Sequence, residues 1–217
     1  MSRTSSRLPV GPAPGRPKKK KDLHPVVRDA VKGKLPDWAR VGKARIEHMR
    51  RVSVLLAVWA KAAGERGVEV ARWTGVGLLH DVLREARPSD LRPLLPPAFR
   101  DAPKNLLHGP AAAYYLEREG VRDYEFQDAI RYHADGHPAM GRLGRALVAA
   151  DFLEPGRKLR PRFRARLRER MPADLDAVVR EILGARIQVL VDRDTRIRPE
   201  TVNFWNVLVD GSKKKKP

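Results

Sequence analysis

The sequence predicts an all-α protein: several segments carry apolar residues at the helical period of about 3.6, period-two alternation is scarce, and no internal repeat is present. With 217 residues, 42% of them hydrophobic, the chain is long enough for one folded domain with a sizeable core. The lack of cysteine excludes disulfides, thiolate chemistry and cysteine-ligated zinc or iron–sulfur centres, leaving histidine and carboxylate for any metal. The N-terminus has no secretory apolar segment and runs such as 52–60 are too short to span a bilayer, so a soluble cytoplasmic protein without membrane contact is expected.

In chain order, residues 1–22 read as a basic tail and 23–36 as a short basic helix ended by Gly33 and Pro36. From 36 to 64, Ile46, Met49, Val52, Leu56, Trp59 and Ala63 trace one helical stripe, which the stretch from Gly64 to Gly67 ends. A second helix is expected over 68–84, followed by a proline-rich connection over 88–103 with only short helical turns. Residues 111–119 read as a helix with Pro110 near its first position and Gly120 just past its end. Another helix starts after Asp123 and stops at His133, where His-Ala-Asp-Gly-His breaks the chain before an apolar helix over 143–153. Helices over 173–191 and 199–209 close the domain, and their apolar residues pack either within the chain or across a homodimer. The organisation expected is a basic, largely disordered segment over 1–36, a domain over 37–210 and a lysine-rich tail over 211–217.

The formal charge of +19 sits unevenly. Arg3, Arg7, Arg16 and Lys18 to Lys21 precede the first acid, and Lys213 to Lys216 close the chain, so these eleven cations leave +8 for the rest. Like charges beside Pro, Gly and Ser cannot build a core. Such tails read as solubilising, or as arms making non-specific nucleic-acid contact. Arginine also occupies every second position from Arg160 to Arg170, read as an exposed helix face anchored by Phe163 and Leu167.

Five of the six histidines fall between 48 and 137, each near an apolar helix end or loop. His80-Asp81 follows the apolar run 73–79, and Asp151 is the one acid of 143–153. An isolated carboxylate in an apolar interior costs many kcal/mol unless it is paired or coordinated, and a divalent cation removes that cost. His48, His80, Asp81 and Asp151 would give two nitrogen and two oxygen ligands with positions left open for water, a set suited to hydrolysis. His137 is left out of the ligand set, because Gly136 and Pro138 prevent the helix that a His-x-x-x-His pair needs.

The motifs around these residues are R-I-E-H at His48, G-L-L-H-D at His80-Asp81, L-L-H-G at His108, A-I-R-Y-H-A-D-G at His133 and A-D-F-L-E-P-G-R from Ala150 to Arg157, with I-R-P-E-T over 197–201. Over about 43–209 the chain resembles the HD-domain metal-dependent phosphohydrolases, helical bundles, and within them the YqeK-type symmetrical diadenosine tetraphosphate hydrolases. The resemblance implies that His48, His80, Asp81 and Asp151 hold the metal, commonly iron, and that His108 and His133 face the substrate phosphates. It also implies cleavage of a dinucleoside polyphosphate, diadenosine tetraphosphate, into two ADP.

The residue types fit that chemistry independently. A Lewis-acidic ion polarises a phosphoryl oxygen and acidifies its bound water, whose hydroxide attacks phosphorus in line. Asp81, His108 and His133 are the catalytic candidates; the two histidines either stabilise or protonate the phosphates or hold a second ion. Arg45, Arg84 and Arg157 are the candidate phosphate clamps, since a guanidinium gives two parallel hydrogen bonds to phosphate oxygens. Iron, manganese, cobalt and zinc all suit the mixed donors. The competing readings are an HD phosphohydrolase of another nucleotide and a basic RNA- or DNA-binding protein with a structural metal.

Overall fold

A computed structural model of the chain describes residues 22–213. Among them there is no strand, and the expected all-α class holds. The helices are α1 (Pro25–Val31), α2 (Lys43–Ala62), α3 (Val68–Leu79), α4 (Pro88–Leu91), α5 (Pro97–Arg100), α6 (His108–Arg118), α7 (Tyr124–Tyr132), α8 (Arg142–Leu153), α9 (Pro161–Glu169), α10 (Leu175–Asp192) and α11 (Pro199–Lys213). No helix among them is long and apolar enough to cross a membrane. The expectations for residues 1–21 and for the last lysines lie outside the described residues.

α3 lies against α2 and α1, α6 pairs with α7, and α8 runs between α2, α7 and α10. α8 is buried along almost its whole length, because Gly144, Ala146, Ala149 and Ala150 let its neighbours approach closely. That helix carries Asp151, so the burial noted in the sequence is a consequence of its central place. Gly77 has the same role on α3: a Cβ there would sit 2.7 Å from Ser53 Cα. Gly109 on α6 would meet the Ile130 carbonyl oxygen at 2.7 Å. These two contacts bring His80 beside His48 and His108 beside His133.

Several boundaries differ from the sequence reading, for physical reasons. α1 packs into the common core through Val27 and Ala30, ahead of the domain start expected at residue 37. α3 stops at Leu79 with His80 as its C-cap, so His80 and Asp81 leave the helix end rather than lie inside a helix to residue 84. α6 begins at His108 instead of residue 111, placing Pro110 in its first turn. α11 continues to Lys213, beyond the expected end at 209. α9 is the expected arginine-rich helix, yet Arg164 is buried beside Leu167, so its face is not wholly solvated.

The turn after His133 is locked by α11. Thr201 Oγ1 donates to the Asp135 carbonyl and carboxylate oxygens, at 3.0 and 3.1 Å. Gly136 has φ +82°, and a Cβ there would lie 2.3 Å from Phe204 Cδ1 in a fully buried ring. Gly136→Ala should therefore combine left-handed strain with overpacking and cost about 2–4 kcal/mol. Thermal denaturation should show a Tm drop of several degrees; an unchanged Tm would mean that Phe204 moves aside without cost.

Candidate metal centre

Five helices deliver six side chains to one point. His48 projects from the middle of α2, His80 and Asp81 from the end of α3, His108 from the first turn of α6, His133 from the end of α7 and Asp151 from α8. All six are buried, His80 completely. His48 Nε2 lies 3.2 Å from Asp151 Oδ1 and 3.6 Å from Asp81 Oδ2, and His80 Nε2 lies 3.6 Å from the same Asp81 oxygen. Donors about 2.1 Å from a common ion sit roughly 3.0–3.4 Å apart, so these separations come close to a coordination shell.

Hydrogen bonds to acceptor-only groups assign the tautomers. His80 Nδ1 faces the Gly77 carbonyl at 2.8 Å, and His133 Nδ1 faces the Ile130 carbonyl at 2.8 Å. Each must donate there, which leaves the lone pair on Nε2. His48 Nδ1 likewise faces the Glu154 carboxylate at 3.3 Å. His108 is the reverse case. Its Nε2 lies 3.0 Å from Asp81 Oδ1 and 3.1 Å from the lone pair of His133 Nε2, so it carries the proton on Nε2 and acts as a donor.

The Nε2 atoms of His48 and His80 are buried and have no hydrogen-bond partner. Two unpaired lone pairs directed at two buried carboxylates repel them, and a buried polar atom without a partner costs about 1–3 kcal/mol. A cation converts all four into ligands. His48, His80 and Asp151 form one group of donor atoms within 4.8 Å of one another, and His80, Asp81 and His133 form a second. The residues present therefore fit a divalent metal.

The protonation states agree. Burial lowers His80 to about 4 and also depresses His108, so both are neutral near pH 7. Burial works against the Asp81 and Asp151 carboxylates, but the surrounding histidines, and for Asp151 also Arg157 and Arg186, hold both well below the usual carboxylate range. The two carboxylates carry the charge that a dication balances.

For stability the sign follows from linkage. His80 takes a proton near pH 6.5 when unfolded but only near 4 when folded, so acid favours the unfolded chain. The metal-free protein should lose about 3 kcal/mol through this group as the pH falls from 6.5 to 4, and nothing further from it below that. Tm measured in chelator across this range should fall, with a shallower decline in His80→Gln; parallel profiles for the two proteins would contradict the assignment.

The expected arginines divide. Arg45 donates to Asp81 Oδ2 at 2.7 Å and Arg157 to Asp151 Oδ1 at 2.6 Å, at the two carboxylates. Arg84 instead donates to the Asn105 carbonyl at 3.4 Å, ahead of His108, and reaches the centre only through its charge on His108. His137 stacks on Tyr132 outside the donor set.

Three residues near the centre escaped the sequence reading. Glu154 holds His48, Arg51 closes on Glu154 at 2.6 Å, and Arg186 reaches Asp151 Oδ2 at 3.5 Å. Glu154 was legible as the acid three residues after Asp151, one turn along the same face. Arg186 was readable only as a cation within a helix otherwise assigned to packing.

The chain is similar to several known proteins. The model of the HD domain matches residues 45–182. A symmetrical bis(5'-nucleosyl)-tetraphosphatase of Bacillus subtilis is 33% identical over 122 residues, 56% of this chain and 64% of that protein. Its counterpart from Halalkalibacterium halodurans is 33% identical over 105 residues, 48% of this chain and 55% of its own length. The aligned region thus spans less than two thirds of these relatives. A solved structure of a predicted HD superfamily hydrolase involved in NAD metabolism, from Clostridium acetobutylicum, superimposes with a TM-score of 0.70 at 21% identity, over 85% of this chain and 96% of that one.

Proposed function

From the premise that this chain belongs to the HD domain family, we propose that it is a metal-dependent phosphohydrolase that cleaves diadenosine tetraphosphate symmetrically into two ADP. The observation that carries the reading is the pair of buried, unpartnered Nε2 atoms of His48 and His80 facing two ionised carboxylates, with Arg45 and Arg157 beside those carboxylates. The similarity to symmetrical tetraphosphatases supports the choice of substrate.

His48, His80, Asp81 and Asp151 would hold the cation, which we take to be iron; manganese, cobalt and zinc suit the same donors. When bound it supplies Lewis acidity to a phosphoryl oxygen and to a water. The protein's own residues do the rest. His108, protonated at Nε2, donates to a nonbridging oxygen as charge grows on it. His133, with its lone pair on Nε2, takes the proton that the attacking water gives up. Arg45 and Arg157 clamp the chain of phosphates, and Arg84, in the turn after Asp81 and tied to the Asn105 carbonyl, adds positive charge beside His108. Water adds to an inner phosphorus, the central P–O–P bridge breaks, and ADP leaves on each side.

Incubation of the iron- or manganese-loaded protein with diadenosine tetraphosphate, resolved by ion-exchange chromatography, tests this. ADP as sole product is expected. AMP with ATP would mean asymmetric cleavage and reject the reading, as would the absence of turnover with every metal.

A further inference from the structure

Three guanidiniums gather on the α9–α10 side of the centre, more than its carboxylates require. Arg157 and Arg186 share Asp151, one on each oxygen. Arg186 and Arg164 share the Phe152 ring, with their guanidinium carbons 5.7 and 4.0 Å from its centroid. Arg186 also donates to the Ala134 carbonyl at 3.4 Å, next to His133, so the group is continuous with the centre. Arg164 is buried; its Nε donates to the Leu159 carbonyl at 2.6 Å, while its Nη1 has no partner. A buried cation without a countercharge is costly, and a like-charged pair on one ring more so. The carboxylate that Arg157 and Arg186 share is one of the four ligand candidates, so a cation there takes up its charge and leaves Arg186 without that partner. Arg157 keeps only Glu154, at 3.7 Å and already engaged by Arg51 at 2.6 Å.

We propose that Arg157, Arg164 and Arg186 form a subsite for the distal phosphates of a nucleotide with three or more phosphates in a row. This rests on the phosphohydrolase reading of the adjoining centre and adds a selection to it. Arg45 would hold the phosphate under attack beside the residues that would bind the cation, and the arginine trio measures how much charged chain extends beyond it. Arg164 and Arg186 are held by the Phe152 ring and by backbone carbonyls, so their geometry exists before a ligand arrives.

The test is calorimetric titration of the manganese-loaded full-length protein with AMP, ADP and ATP at one ionic strength, manganese being in excess throughout. The base is constant and only the number of phosphates changes. The wild type should bind ATP at least about tenfold more tightly than AMP. Arg164→Gln and Arg186→Gln should each lose about tenfold or more in ATP affinity while AMP affinity stays within about twofold. Arg186, partly exposed on α10, carries the test if Arg164→Gln does not fold. ATP-to-AMP ratios like the wild type's in the folded variants would overturn the subsite, and so would equal AMP and ATP binding in the wild type. If diadenosine tetraphosphate is not hydrolysed, the substrate reading falls while this titration still decides the subsite, so the two failures are distinguishable.

Discussion

Asp81→Ala should reduce diadenosine tetraphosphate turnover by about a thousandfold or more, the several kcal/mol that a bound cation supplies to phosphoryl chemistry. One oxygen, Asp81 Oδ2, faces the Nε2 atoms of His48 and His80, each at 3.6 Å, and accepts from Arg45 at 2.7 Å. The other, Oδ1, accepts from His108 at 3.0 Å. Removing the carboxylate takes away a proposed ligand, the anion opposite Arg45 and the acceptor that fixes the His108 tautomer. The fold should survive, because the surrounding helices are held by the α2–α3 and α6–α7 contacts through Gly77 and Gly109 and not by this group. Chelator Tm should fall by a few degrees, since the carboxylate is held below its usual range by its neighbours and its loss leaves Arg45 and His108 without their acceptor. Far-UV circular dichroism, chelator Tm and steady-state turnover together check this. Full turnover in a folded Asp81→Ala protein would remove the centre from the reaction, whereas loss of helicity would show that the carboxylate holds the fold.

The same residue shows what the sequence could reveal. A carboxylate placed directly after the apolar run 73–79 conflicts with burial unless something compensates it, so His80-Asp81, with the histidines and Asp151 that accompany it, was legible as a candidate centre from its place in the chain. The helices were legible where their apolar period is long, as in α2. Their ends were less so: α3 stops at His80 because the chain must turn there to bring Asp81 to the centre, a tertiary demand that periodicity does not carry. Arg164 was misread for a related reason. Alternating arginines spread around a helix rather than along one face, so the one that turns inward depends on where Phe152 lies, and Phe152 belongs to another helix. Arg84 and Arg157 were both candidate clamps, Arg157 the better supported by its motif, and of the two only Arg157 lies on a carboxylate of the centre, because the turn after α8 folds back on it.

Glu154→Gln should weaken metal binding by about 10–100-fold, the range typical of partners that orient a ligating histidine. Glu154 is 2% exposed and splits its two oxygens: Oε1 lies 3.3 Å from His48 Nδ1, and Oε2 accepts from Arg51 Nε and from the Gly156 amide, both at 2.6 Å. Burial opposes its ionisation, but those donors hold it below the usual carboxylate range. Glutamine cannot serve both sides. With its oxygen toward His48, its NH2 meets the N–H groups of Arg51 and Gly156, donor against donor. With the amide turned over, NH2 faces His48 Nδ1, which must then accept, and the proton moves to Nε2, the atom needed for the ion. Either arrangement costs metal affinity, whereas a merely structural C-cap would lower Tm alone. Metal affinity measured by competition with a chelating dye, beside chelator Tm, separates the two. Arg51→Met is the control: Arg51 touches Glu154 but not His48, so it should lower metal affinity less than Glu154→Gln does. An unchanged affinity in Glu154→Gln would show that His48 keeps its tautomer without the carboxylate.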